Sequence, residues 1–184
     1  VNRLPARPPL TPYPDVDSAR DGVGTPWRRS LNGAWRFRLV ESPSAAPARW
    51  MHPTTSDDRW RTIDVPGCWT RQGTGDLPHY TNIVMPWPDT EAPSSPPENP
   101  TGLHRTTFSV PRAWRNRDVI VHLGGAESVA IVWCNGTFVG MGKDSRLPSE
   151  FDLTPNLVSG TNLLAVMVIR YSDATWIEDQ DHWW

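Results

Sequence analysis

Val129-Ala-Ile-Val-Trp-Cys134 runs into Asn135-Gly136 and leaves it through Thr137-Phe-Val139. This stretch decides the fold class. Val129, Ile131 and Trp133 alternate with Ala130 and Val132, so apolar side chains leave both sides of an extended chain. That two-residue period is the period of a strand, here one covered on both faces. Asn-Gly between two strand-like runs is a strong hairpin signal, because a type I′ turn needs positive φ at both central residues.

Outward from this hairpin the same period recurs. Trp35, Phe37 and Leu39 alternate with Arg36 and Arg38, and Ile63 and Val65 flank Asp64. Thr106, Phe108 and Val110 make another such segment, and Val119, Val121 and Leu123 a further one. Leu163 to Ile169 is a continuous apolar run, the pattern of a central strand. About eight short strands are expected, with turn signals between them and no amphipathic helix. The reading is all-β, a β-sandwich or jelly roll.

The 20 prolines among 184 residues support it, since proline breaks helix interiors. They cluster in residues 1–29, read as an extended N-terminal arm, and in residues 86–100, read as a long surface loop. Residues 30–184 make the folded domain. Eleven Trp supply bulk for a real core, which excludes wholesale disorder. A net charge of −2 gives no pull toward nucleic acid or anionic membrane. No run approaches the roughly 18 apolar residues of a membrane helix. Two cysteines, Cys68 and Cys134, exclude a disulfide-dense scaffold and fit a reducing compartment.

Most catalytic and cofactor motifs are missing. The sequence holds no phosphate-cradling GxxxxGK[ST], no GxGxxG, no GxSxG and no HExxH. His122, in a strand-like run, reads as a structural histidine, and Cys134, beside Trp133, as a buried inert thiol. The stretch from Asp173 through Glu178 and Asp179 to Asp181 places four carboxylates within nine residues, directly after the most apolar strand. Such carboxylates can hold a hard cation or bond sugar hydroxyls, and they can equally form a solvated acidic loop. Trp176, Trp183 and Trp184, interleaved with them, can stack on a sugar ring or belong to the core.

Several segments together carry a resemblance. They are Ser30-Leu-Asn-Gly-Ala-Trp-Arg-Phe37, Val65-Pro-Gly-Cys-Trp69, Tyr80-Thr-Asn-Ile83, Glu98-Asn-Pro-Thr-Gly102, Trp133-Cys-Asn-Gly136, Asp144-Ser-Arg-Leu-Pro-Ser-Glu-Phe-Asp-Leu153, Leu164-Ala-Val-Met-Val168 and Glu178-Asp-Gln-Asp181. In this order they resemble the N-terminal sugar-binding domain of lac-operon-type bacterial β-galactosidases, in glycoside hydrolase family 2. The resemblance covers nearly the whole chain. It implies a jelly-roll sandwich of the galactose-binding-domain-like kind. It also implies later sandwich domains and a (β/α)₈ barrel carrying two catalytic glutamates, which hydrolyse terminal β-D-galactose, as in lactose, with retention. No barrel motif is present here, so this chain alone is expected to be inactive. The family pattern continues past Trp184 into a further strand.

Two residues inherit family roles through the resemblance. Asn82 matches an asparagine that contacts the galactosyl group, and an amide both donates to and accepts from hydroxyls. Asp181 matches an aspartate that ligates sodium and contacts the galactose 6-hydroxyl. Ile83 matches an apolar neighbour of the sugar. Asp173 matches a ligand of a structural magnesium site, but Lys143 stands where that site uses a glutamine. An ammonium repels magnesium. No magnesium is therefore expected at Asp173, and a Lys143–Asp173 ion pair is the expected substitute. Sodium and magnesium belong to the full-length family, and neither is expected to bind this chain tightly. The resemblance further implies a cytoplasmic, homo-oligomeric (typically tetrameric) parent, with residues 1–29 stabilising subunit packing. A stand-alone carbohydrate-binding module and a pure assembly domain are the alternatives.

Overall fold

The computed structural model describes residues 3–6, 10–22, 24–78, 87 and 89–178. Its eight strands are β1 (Gly33–Val40), β2 (Arg61–Val65), β3 (Thr101–Ser109), β4 (Ile120–Leu123), β5 (Val129–Cys134), β6 (Thr137–Lys143), β7 (Ser149–Asp152) and β8 (Thr161–Ile169). Six form one sheet in the order β2-β1-β3-β8-β5-β6, and β4 pairs with β7 in a second. Every pairing is antiparallel. The fold is the expected all-β sandwich.

The hairpin forms as its sequence dictates. Asn135 and Gly136 have φ of 52° and 85°, and Cys134 faces Thr137 across the two-residue turn. A bulge follows, for Val132 pairs with Gly140 while Trp133 pairs with Phe138. The Asn135 side chain does more than turn the chain. Its Nδ2 donates to Asn162 Oδ1 at 2.7 Å, and its Oδ1 accepts from the Leu163 amide at 2.8 Å. The turn is thereby fastened to the start of β8, the central strand.

Alternation along β1, β5 and β8 gives the large sheet two apolar faces. On one, Trp35, Val132, Leu164 and Val166 pack against Val121 of β4 and Phe151 of β7. On the other, Leu103, Ala165 and Met167 are covered by Trp50 and Trp60 of the β1–β2 connection. Trp50 stacks on Trp60 (6.3 Å, 25°) and meets Trp133 edge-on (5.3 Å, 76°). Arg105 stitches this cover down. Its buried guanidinium donates to the carbonyls of Thr55 (2.8 Å) and His52 (3.3 Å) and pairs with Asp57 at 3.3 Å.

Two strand readings needed correction. β3 begins at Thr101 and ends at Ser109, leaving Val110 outside. Its first half was illegible because the buried residues there include His104 and Arg105, which break the apolar pattern. β7 was missed because Ser149-Glu-Phe-Asp152 has one apolar residue, Phe151. The arm read as extended also contains a helix, α1 (Val16–Asp21). Asp15 caps it by accepting from the Ser18 amide at 2.7 Å, and Gly22 ends it at φ 63°. None of its residues is buried.

The described part of the arm docks on its own domain near both of its ends. Arg3 bridges Phe151 of β7, and the Leu4 amide donates to Glu150 O at 2.9 Å. Near its end, Trp27 lies under the Arg117 guanidinium (3.6 Å), and Trp114 Nε1 donates to Pro26 O (2.9 Å). The described part of the proline-rich stretch at 86–100 has neither helix nor strand, as expected. Among the described residues no helix is long and apolar enough to cross a membrane.

Candidate functional site

Asn82 and Asp181, the two expected sugar contacts, lie outside the described residues, as does Ile83. What the structure does show is how the described chain is held on both sides of residues 79–86 and just before residue 179. Three sets of contacts converge on the C-terminal end of β8 and the residues just after it.

The first set joins the segment after β8 to the β6–β7 connection. Lys143 Nζ donates to both Asp173 oxygens, at 2.7 and 2.8 Å. The expected ion pair forms. It holds the Asp173 carboxyl below its ordinary pKa, through the Lys143 hydrogen bond first. Two residues on, the Ser145 amide and hydroxyl donate to Glu178, at 2.9 and 2.6 Å. Arg146 Nη2 donates to Glu178 O at 3.3 Å. Glu178, read from sequence as one of four clustered acids, thus spends its carboxylate on a loop. α2 (Thr175–Glu178) carries the chain between these contacts. With an ammonium on both oxygens of Asp173, the residues present do not fit a magnesium ion there. Among the described residues no His, Cys, Asp and Glu come together as a metal site.

The second set centres on Arg170, the residue after β8. Its Nη1 donates to Asp76 Oδ1, and its Nη2 to Leu77 O at 3.0 Å. Trp69 Nε1 donates to the other Asp76 oxygen at 2.6 Å. The ion pair is nearly buried, at 12% and 9% side-chain exposure. The third set centres on Tyr171. Its amide donates to Asn99 Oδ1 (2.9 Å), and its carbonyl accepts from Asn99 Nδ2 (2.8 Å). Its ring meets Trp87 edge-on at 4.4 Å. Nothing local in the sequence signals Arg170–Asp76, whose partners lie 94 residues apart.

Beside these contacts the described residues leave a cleft in the sandwich. β4 pairs only with β7 among the described strands, and a cleft runs along its other edge. Trp35, His104, Val166 and Val168 line it, as do Arg170, Tyr171 and Glu178. At about 1570 Å³ it exceeds the usual size of a small-molecule pocket. The buried imidazole among them is His104, whose Nδ1 lies 3.2 Å from Gly102 O. Burial pushes its pKa down to about 4, so it is neutral near pH 7. His122, the histidine singled out from sequence, sits on β4 with Nδ1 3.2 Å from Glu150 across the strand pair. Cys134 is buried and its thiol is pushed up to about 11, which suits the inert reading.

A two-layer antiparallel sandwich that gathers loops at the end of its central strand defines an all-β, jelly-roll-like module. The chain belongs to glycosyl hydrolases family 2 as its sugar binding domain, whose profile matches residues 28–184. It is 42% identical over 179 residues to a β-galactosidase of Psychromonas ingrahamii, covering 97% of this chain and 17% of that protein. It is 44% identical over 185 residues to a β-galactosidase of Vibrio vulnificus, covering 100% of this chain and 18% of that protein. The chain thus spans less than a fifth of these relatives. Among solved structures, a Bifidobacterium dentium β-glucuronidase complexed with coumarin-3-O-glucuronide is similar at TM-score 0.56 and 27% identity, over 76% of this chain and 19% of that one. An uncultured Clostridium sp. β-glucuronidase has the same fold at TM-score 0.58 and 20% identity, over 76% of this chain and 21% of that one.

Proposed function

We propose that this chain is the sugar-binding domain of a β-galactosidase acting on terminal non-reducing β-D-galactose, lactose-type substrates included. The observation that carries the reading is identity above 40% to β-galactosidases over at least 97% of the chain. Similarity to the solved β-glucuronidases is 27% or lower. In this reading Asn82 bonds the galactosyl hydroxyls through its amide, and Asp181 offers a carboxylate to sodium and to the 6-hydroxyl. A carboxylate suits a hard monovalent cation. The catalytic glutamates reside in a barrel domain of the parent and work by the retaining double displacement. The parent's other domains and its own oligomer partners complete the site, and the isolated chain does not turn over substrate.

Similarity to β-glucuronidase structures supports a second reading, with a glucuronide as substrate. The intact parent protein decides between them when assayed on p-nitrophenyl β-galactoside and β-glucuronide. Galactoside turnover that weakens in Asp181→Ala, with a raised sodium requirement, is the expected result. Turnover of the glucuronide alone would sink the galactosidase reading. Normal galactoside kinetics in Asp181→Ala would leave the domain as an assembly module.

A further inference from the structure

We propose that Asn135 is a modification site gated by the fold. Its side-chain amide converts to a carboxylate through the Gly136 nitrogen when the β5–β6 turn opens, and the folded sandwich both blocks that reaction and rejects its product.

The chemistry needs only the chain and water. Gly136 has no Cβ to shield its backbone nitrogen and reaches conformations closed to other residues. As that nitrogen gives up its proton it attacks Asn135 Cγ. The N–Cγ bond forms, the Cγ–Nδ2 bond breaks, and Nδ2 leaves with the proton as ammonia. Water then opens the cyclic imide at either carbonyl. The product is aspartate, or isoaspartate with the main chain running through the former side chain. Nothing is oxidised or reduced.

In the folded chain Cγ is not free to make that approach. Asn135 Nδ2 donates to Asn156 O at 2.8 Å and to Asn162 Oδ1 at 2.7 Å, and Oδ1 accepts from the Leu163 amide at 2.8 Å. The Asn135 backbone amide donates to Leu163 O at 2.9 Å. Gly136 is covered by His52, whose Cδ2 would lie 2.9 Å from a Cβ added there. These contacts have to yield together before the nitrogen can reach Cγ.

The same contacts reject the product. Both partners of Nδ2 are acceptors, so a carboxylate oxygen in its place would face two carbonyl oxygens with no proton between them. Asn162 cannot turn its amide to supply one. It is fully buried, its Oδ1 takes the Val158 amide at 2.8 Å, and its Nδ2 donates to Val158 O (3.1 Å) and Gly160 O (3.3 Å). A buried acceptor without a donor costs more than a lost hydrogen bond, and a charge costs more still. Isoaspartate adds a main-chain atom to a turn that has to bring Cys134 opposite Thr137. A chain that opens and reacts therefore does not close again, which makes the turn a route of irreversible loss.

The test follows the tryptic peptide 118–143 of the intact protein by mass spectrometry, because Asn135 is its only side-chain amide. The protein is held for days at neutral pH in heavy-oxygen water, folded in buffer or unfolded in urea. In urea the peptide is expected to gain the mass of an amide turned acid, with a heavy oxygen. In buffer the gain is expected to be at least about tenfold slower, since only the opened fraction reacts. Equal rates would overturn the gating, and no conversion in urea would remove the site. On dilution from urea, converted peptide is expected to be enriched in the protein that fails to refold. Equal shares in refolded and unrefolded protein would overturn the rejection of the product. Asn162→Ala frees one end of the amide and leaves Asn135-Gly136 intact, so it should speed conversion in buffer and not in urea. An unchanged rate in buffer would overturn the guarding role of Asn162. The rate and refolding measurements use the wild type alone and decide the proposal even where that variant does not fold.

Discussion

The two faces of the six-stranded sheet are closed in different ways. One is covered by the β1–β2 connection: Trp50 and Trp60 pack with Leu103, Ala165 and Met167, and Arg105 bonds their loop to the strands. The other is covered over part of its area by β4 and β7 and opens beside β4 into the cleft. Arg170 and Tyr171, which hold the chain on either side of residues 79–86, are among the residues that line it. The closed face gives the central strand a packed back of indoles.

Truncating one side chain on each face should break the symmetry most visibly. Trp50→Ala removes an indole that is 2% exposed and is expected to cost about 4 kcal/mol. Val168→Ala, half-buried beside the cleft, should cost about 1 kcal/mol. Hydrogen-exchange protection of the β8 amides in the intact protein reads both on one strand. Equal losses would mean that the open face is as tightly packed as the sealed one.

A smaller effect separates the faces by pH. His104, on the open side, has a folded pKa of about 4, depressed by burial, against about 6.5 when unfolded. The unfolded chain therefore takes up the proton first. The contribution is fully present above pH 6.5 and is lost as pH falls toward 4, by about 3 kcal/mol in all. Replacing the imidazole, as in His104→Gln, should flatten the stability profile across that window. An unchanged slope would show that another group titrates there.

The smallest effect is expected at Lys143 and Asp173, which are both substantially exposed. Lys143→Met should shift the melting temperature of the intact protein only slightly, and the shift should vanish at high salt. Millimolar magnesium should not stabilise the wild type through Asp173. Magnesium-dependent melting that Asp173→Asn abolishes would reverse that expectation.

Alternation, the Asn135-Gly136 turn and the proline clusters sufficed for an all-β reading, because a strand's side-chain period and a turn's φ requirements are local properties. The Lys143–Asp173 pair, 30 residues apart, was legible only through a family pattern in which a neutral glutamine is replaced by a cationic lysine. His104 and Arg105 were opaque, since nothing in Thr101-Gly-Leu-His-Arg105 says that a histidine and an arginine will be buried. Which face of the sheet is sealed, and which acids answer Arg170 and Ser145, depended on residues 33 to 94 positions away. Such pairings cost chain entropy to form and are made only once the sheet has brought its distant strands together. Local periodicity determined most of the strands, and the packed sandwich alone decided β7, the buried half of β3 and what lies beside them.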